Sequence, residues 1–276
     1  MITLQYVLVR LLLRMPRLAA KLLDLFVPRL RRIAVRNLEM AGYSDPQPIA
    51  DGVFRSIGRI LKSFGEFPKI TRENVHEWIR YDGLENFTAA MAKGRGVLVA
   101  TAHLGNWELS AFTHALMTGP MNIVVRPLDN PKIDAFVERY RGLSGNPIIR
   151  KKEAARGILR ALRAGEAVGI LIDQNATLEE GTFIEFFGVK ACAGTAFAGF
   201  ARHSGAAVVP GFALWSEAER KYVLRFYPEV PMTGEIQGDT QRVHAVLEGV
   251  IREYPDQWLW IHRRWKSRPV GEGPMY

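Results

Sequence analysis

Val97-Leu98-Val99-Ala100-Thr101-Ala102-His103-Leu104-Gly105-Asn106-Trp107-Glu108 is the passage from which the architecture is best read. It opens as a short strand, Val97–Thr101, rich in β-branched residues. A turn at Gly105 follows, and Asn106 leads into a helical pattern. Further strands are expected at 122–126, 167–173, 206–214 and 222–230, each bounded by Gly, Pro or charge. Helical stretches fall between and after them at 131–143, 153–163, 195–204 and 240–254, and 30–75 is helical too. Strands alternating with helices of this length predict an α/β fold, with a mostly parallel central sheet flanked by helices. In such sheets, sites gather beyond the carboxyl ends of the strands. Chemistry is therefore to be sought in the loops after Thr101, Arg126 and Asp173.

The chain has 276 residues, 48% of them hydrophobic, enough for a buried core and too apolar for a disordered segment. Cys192 is the single cysteine, which excludes an intramolecular disulfide and a cysteine-cluster metal site and fits a reducing compartment. The net charge of +9 is concentrated at the ends: residues 1–36 carry +7 and residues 263–276 carry +3. A basic surface of this kind suits anionic lipid head groups, nucleic acid or an acidic protein partner.

Arg10, Arg14, Arg17, Lys21 and Asp24 follow one another at spacings of 4, 3, 4 and 3. On a helix they share an arc of about 80°. The remaining faces are almost wholly apolar, from Leu4 and Val7 through Leu22 and Leu23. No run reaches the roughly 18–20 uncharged apolar residues that a spanning helix needs. Residues 1–30 are thus expected to lie in a membrane interface, with Pro16 kinking or splitting the helix, and residues 31–276 to form the α/β domain. A surface helix packed on its own domain is the alternative. Arginines interrupt the apolar run, so no secretory signal peptide is expected.

His103 and Glu108 are five residues apart, about 140° on a continuous helix, so they meet only if His103 precedes the helix. Glu108 would then hydrogen-bond one imidazole nitrogen and raise the basicity of the other. The free nitrogen can take a proton from an attacking alcohol, while the helix N-terminus favours charge developing on a carbonyl oxygen. This spacing is by itself a weak signal. Arg126, Arg139 and Arg141 are candidates for binding phosphate by bidentate hydrogen bonds. Asp173 closes the strongest apolar strand and reads either as an active-site orienter or as a loop cap. The aromatic run Gly181–Gly188 walls an acyl groove or belongs to the core. No P-loop, dinucleotide fingerprint, nucleophile elbow or metal-ligand cluster is present in the sequence, which disfavours a nucleotide cofactor, a serine nucleophile or a metal.

Taken together, four blocks in order resemble the lysophospholipid acyltransferase superfamily, and within it the bacterial lipid A biosynthesis acyltransferases. They are His103-Leu104-Gly105-Asn106-Trp107-Glu108 and Arg126-Pro127-Leu128-Asp129-Asn130-Pro131, then Asp173-Gln174-Asn175 with Phe186-Phe187-Gly188 and Thr195, and last Trp260-Ile261-His262-Arg263-Arg264-Trp265-Lys266. The likeness runs from about Arg31 to Arg268. It implies transfer of an acyl chain from a thioester co-substrate, on acyl carrier protein or coenzyme A, to a hydroxyl of a sugar-containing lipid, with no further cofactor. It also implies attachment to the cytoplasmic face of the inner membrane. His103 would be the base and Glu108 its partner, with Gly105, Asn106, Arg126, Arg141 and Asp173 in the substrate-binding blocks. Members acting on mannosylated phosphoinositides leave the acceptor open. A thioester hydrolase using the same base, or a non-catalytic membrane or nucleic-acid module, are the competing readings. Nucleic acid is disfavoured, because no basic run interleaved with aromatics exists outside 258–265.

Overall fold

The computed structural model describes residues 16–150 and 154–276. Its strands are β1 (Ile79–Asp82), β2 (Val97–Thr101), β3 (Asn122–Val125), β4 (Ile148–Arg150), β5 (Ala167–Leu171), β6 (Gly181–Phe186), β7 (Val189–Gly194), β8 (Ala207–Ser216) and β9 (Lys221–Phe226). Its helices are α1 (Pro16–Phe26), α2 (Pro28–Met40), α3 (Pro46–Glu66), α4 (Leu84–Met91), α5 (Trp107–Met117), α6 (Pro131–Gly142), α7 (Ala154–Arg163), α8 (Ala196–Ser204) and α9 (Ile236–Glu253). Seven strands form one sheet in the order β1-β9-β8-β2-β5-β3-β4, and β6 and β7 form a separate hairpin. From β4 to β8 the strands are parallel; β9 turns back antiparallel to β8 and pairs in parallel with β1. The α/β fold with a mostly parallel sheet is thus observed.

Local chemistry accounts for the helix starts. The side-chain oxygen of Asn106 accepts the Leu109 amide at 3.0 Å and caps α5. Asn130 does the same for α6, with Pro131 at the first helical position, where a missing amide hydrogen costs nothing. In α7, Ile158, Ala161 and Leu162 are buried while Arg156, Arg160 and Arg163 stay exposed, an amphipathic division along one helix.

The central strand shows how the layers close. Val97 and Val99 face a core containing Leu109 and Phe112 of α5 and Phe136 of α6. Leu98 and Ala100 face the opposite core, with Ile158 and Leu162 of α7, Phe197 and Ala201 of α8 and Val243 of α9. Alternation with period two carries both cores, because successive side chains of a strand leave opposite faces. A third cluster joins Ala34 and Leu38 of α2 and Ala50 and Val53 of α3 to Trp258, Trp260 and Trp265.

Several elements differ from expectation. The short strands β1 and β4, at the two edges of the sheet, are not apparent in the pattern, since three or four residues carry too little alternation, and the six-residue strands of the β6–β7 hairpin are not expected as strands either. β9 stops at Phe226 ahead of Pro228, which cannot donate to a ladder. α9 begins at Ile236, because Glu235 caps the amides of Gln237 and Gly238. Arg10, Arg14 and the side chain of Arg17, on which the interfacial reading rests, lie outside the described residues. Pro16 opens α1, Lys21 is exposed, and Asp24 pairs with Arg31 of α2 (Nε to Oδ1, 2.7 Å). Among the described residues no helix is long and apolar enough to cross a membrane.

After β2 the chain turns at Gly105, where φ is +62° and an added Cβ would lie 1.9 Å from the Ala213 carbonyl oxygen. Only glycine combines that dihedral with so close a backbone approach. Gly105→Ala should destabilise the fold by about 3 kcal/mol, read as a lower urea midpoint.

Candidate active site

The parallel register of β2 and β5 pairs Val97 with Ala167 and Thr101 with Leu171. The Ile172 amide continues that ladder by donating to the Thr101 carbonyl at 3.0 Å. Each chain then runs two residues past its last paired position, to His103 on one and Asp173 on the other. Their side chains meet there: His103 Nδ1 lies 2.9 Å from Asp173 Oδ1, and the His103 amide donates to Oδ2 at 2.9 Å. The Trp258 indole Nε1 also donates to Oδ2, at 2.8 Å.

Asp173 has no exposed surface, whereas 15% of the His103 side chain remains accessible. Burial opposes charge on Asp173, yet His103, His262 and the Trp258 indole together hold its carboxyl far below the usual range. An ionised carboxylate only accepts hydrogen bonds, so Nδ1 carries the proton and Nε2 keeps its lone pair. Nε2 makes no hydrogen bond among the described residues. For the imidazole, burial pushes the pKa down, but Asp173 and then Glu108 push it up, and the net effect is upward from 6.5. The Trp107 ring stands edge-on to the imidazole, 4.9 Å between centroids.

Glu108 is not the partner that the spacing suggested. It lies in the first turn of α5, and Arg141 from α6 occupies its carboxylate, with Nε donating to Oε2 at 2.8 Å and Nη2 to Oε1. The helix carries Glu108 away from the imidazole nitrogen, while strand register brings Asp173 to it. Glu108 still contributes to the imidazole through its charge. Burial opposes the Arg141 charge, but Glu108 outweighs it and keeps the guanidinium protonated. The pair forms where the opening of α5 meets the last turn of α6.

The other expected positions divide. Gly105 and Asn106 are buried and build the turn rather than lining a surface: the Gly105 amide donates to Gln257 O at 2.9 Å and Asn106 Nδ2 to Ser63 Oγ at 2.6 Å. Arg126 is exposed, one residue beyond β3. Phe186 and Phe187 are buried in the core against Trp258 and Trp260, so they wall no groove. Trp258 escaped the sequence reading as a partner of Asp173, since no spacing relates residues so far apart.

Across residues 6–267 the chain matches the family described as bacterial lipid A biosynthesis acyltransferase. The chain belongs to this family. It is 32% identical to the lipid A biosynthesis palmitoleoyltransferase of Escherichia coli (strain K12) over 260 residues, covering 91% of this chain and 83% of the relative. The lauroyltransferase of lipid A biosynthesis from the same organism is 28% identical over 258 residues, 91% of this chain and 84% of its own length. A phosphatidylinositol mannoside acyltransferase of Mycobacterium tuberculosis (strain ATCC 25618 / H37Rv) is 23% identical over 244 residues, 86% and 76% of the two chains. The protein is therefore an acyltransferase, and as a lipid A acyltransferase family member it acts on a lipid acceptor.

The imidazole environment can be tested without substrate. A proton NMR titration should place the His103 pKa above 6.5, and Asp173→Asn should lower it by about one unit or more. Coincident titrations would show that Asp173 does not govern the imidazole.

Proposed function

We propose that this enzyme moves a fatty acyl chain from acyl carrier protein to a sugar hydroxyl of a lipid A precursor or a related glycolipid, with His103 as general base. The observation that carries this reading is the 2.9 Å contact between His103 Nδ1 and the buried Asp173 carboxylate. It leaves Nε2 as the basic atom at the carboxyl end of the sheet. Asp173, in place of Glu108, is the orienting group.

In this mechanism Nε2 accepts the proton of the acceptor hydroxyl as its oxygen attacks the thioester carbonyl carbon. Asp173 stabilises the imidazolium that forms, at fixed tautomer and orientation. Negative charge passes to the carbonyl oxygen, favoured by the nearby N-terminus of α5. Collapse of the adduct breaks the C–S bond, and the leaving thiolate regains the proton from imidazolium. The Glu108–Arg141 pair ties α5 to α6, and Glu108 outweighs Arg141 in favouring the protonated imidazole. Exposed Arg126 is suited to a phosphate on either substrate. An acidic carrier suits a chain with so basic a balance.

The sugar-lipid acceptor is supported by the relatives, which include acyltransferases of lipid A biosynthesis and of phosphatidylinositol mannoside. Attachment to a membrane surface is supported by Leu25 and Phe26, 70% and 74% exposed at the turn between α1 and α2, with Leu18 and Val27 also exposed. Such side chains enter a lipid interface readily.

Transfer of a labelled acyl chain from carrier protein or coenzyme A to a panel of lipid acceptors tests the reading. His103→Ala should lower kcat by about 10³-fold or more with the fold intact, and Glu108→Gln by a smaller factor. Equal transfer by wild type and His103→Ala would remove the base assignment. Replacing Leu25 and Phe26 together by Glu should release the protein from anionic vesicles in a sedimentation assay, and unchanged binding would place the lipid contact elsewhere.

A further inference from the structure

The segment 257–267 crosses the carboxyl end of the sheet and touches both halves of the His103–Asp173 pair. On the histidine side, Gln257 O accepts the Gly105 amide at 2.9 Å and the Leu259 amide donates to His103 O at 2.9 Å. Leu104 and Trp258 form an antiparallel bridge between these bonds. On the aspartate side, Trp258 Nε1 donates to Asp173 Oδ2 at 2.8 Å, and the Ser267 amide donates to Asn175 Oδ1 at 2.9 Å. One strap thus links two loops that are 70 residues apart in sequence.

We propose that Trp258 is a positioning residue for the general base, its indole N–H holding the Asp173 carboxylate so that Oδ1 faces the His103 imidazole. This deepens the assignment of His103 as base and rests on it. A carboxylate with no exposed surface has few donors to fix its rotation, and here Oδ2 is held by two: the His103 amide and the indole. The indole is itself wholly buried, with Trp260 at 4.5 Å, His262 at 5.4 Å and Phe186 at 5.8 Å between ring centroids. It has no freedom to swing away, and a donor so fixed sets the geometry of what it touches.

The charged and titratable groups facing the pair come from every element around it. Glu108 lies on α5 and Arg141 on α6. His244 of α9 is held neutral by burial, which lowers its pKa to about 4. The strap adds His262, pushed down by burial, and Arg264, wholly buried and pushed down to about 10 by the same cause. Removing the indole N–H changes none of these charges. It leaves more of the Asp173 charge directed at the imidazolium, which raises the pKa of the base.

The test compares wild type, Trp258→Phe, and a protein carrying 3-benzothienylalanine at position 258, which replaces the N–H by sulfur at nearly constant shape. Both variants should lose about tenfold in kcat with KM little changed, and the acid limb of the kcat/KM profile should move up by about half a pH unit. The sulfur analogue keeps the core filled, so its result stands if the phenylalanine variant folds poorly. An unmoved or lowered acid limb in the analogue, or kinetics coincident with wild type, would overturn the role of Trp258. Wild type no faster than His103→Ala would instead overturn the base assignment.

Discussion

The register of β2 against β5 is the constraint on which the site depends. Because Val97 pairs with Ala167 and Thr101 with Leu171, His103 and Asp173 leave the sheet level with each other. A slip of one residue would turn one of the two side chains to the opposite face. Register is secured by burial, since Leu98 and Val168 face one core while Val97, Val99 and Ala167 face the other. The apolar layers that hold the fold together therefore also hold the imidazole against its carboxylate.

Two polar couples follow from that frame and have different characters. His103 and Asp173 are joined at the end of rigid strands, with the carboxylate wholly buried. Glu108 and Arg141 are joined by helices α5 and α6, which meet on one face of the sheet. The first couple fixes a tautomer, and the second neutralises an arginine and a glutamate that are both largely buried. The C-terminal strap then ties the histidine loop to the aspartate loop, drawing Trp258 into the same network.

Gly105 shows how backbone geometry serves the same end. Its positive φ allows the chain to leave β2, pass within contact of Ala213 and enter α5 with Asn106 as cap. A bulkier residue would push the loop outward and shift His103 from the end of the strand. Arg264, wholly buried with Nη1 donating to the Cys192 carbonyl, lies over the Phe186 ring at 5.2 Å. It fastens the strap to the β6–β7 hairpin and places a cation within range of Asp173.

The amino-acid sequence alone determined the α/β alternation, the boundaries of β2 and the start of α6, because these depend on local hydrophobic pattern, glycine and proline. It also determined that His103 and Asp173 follow strands, and its blocks of residues carried the resemblance to the acyltransferases. Edge strands β1 and β4 were too short to leave a pattern, and the aromatic run 181–188 was readable as groove or, more simply, as core, and packing placed Phe186 and Phe187 inside. Asp173 was readable as an orienter or a loop cap, but its pairing with the imidazole belonged to tertiary structure. Glu108 is near His103 in sequence but is carried by a helix to Arg141, whereas Asp173 is distant in sequence and adjacent in space. Pairing between parallel strands is non-local, so neither that partner nor the Trp258 donor could be read from spacing along the chain.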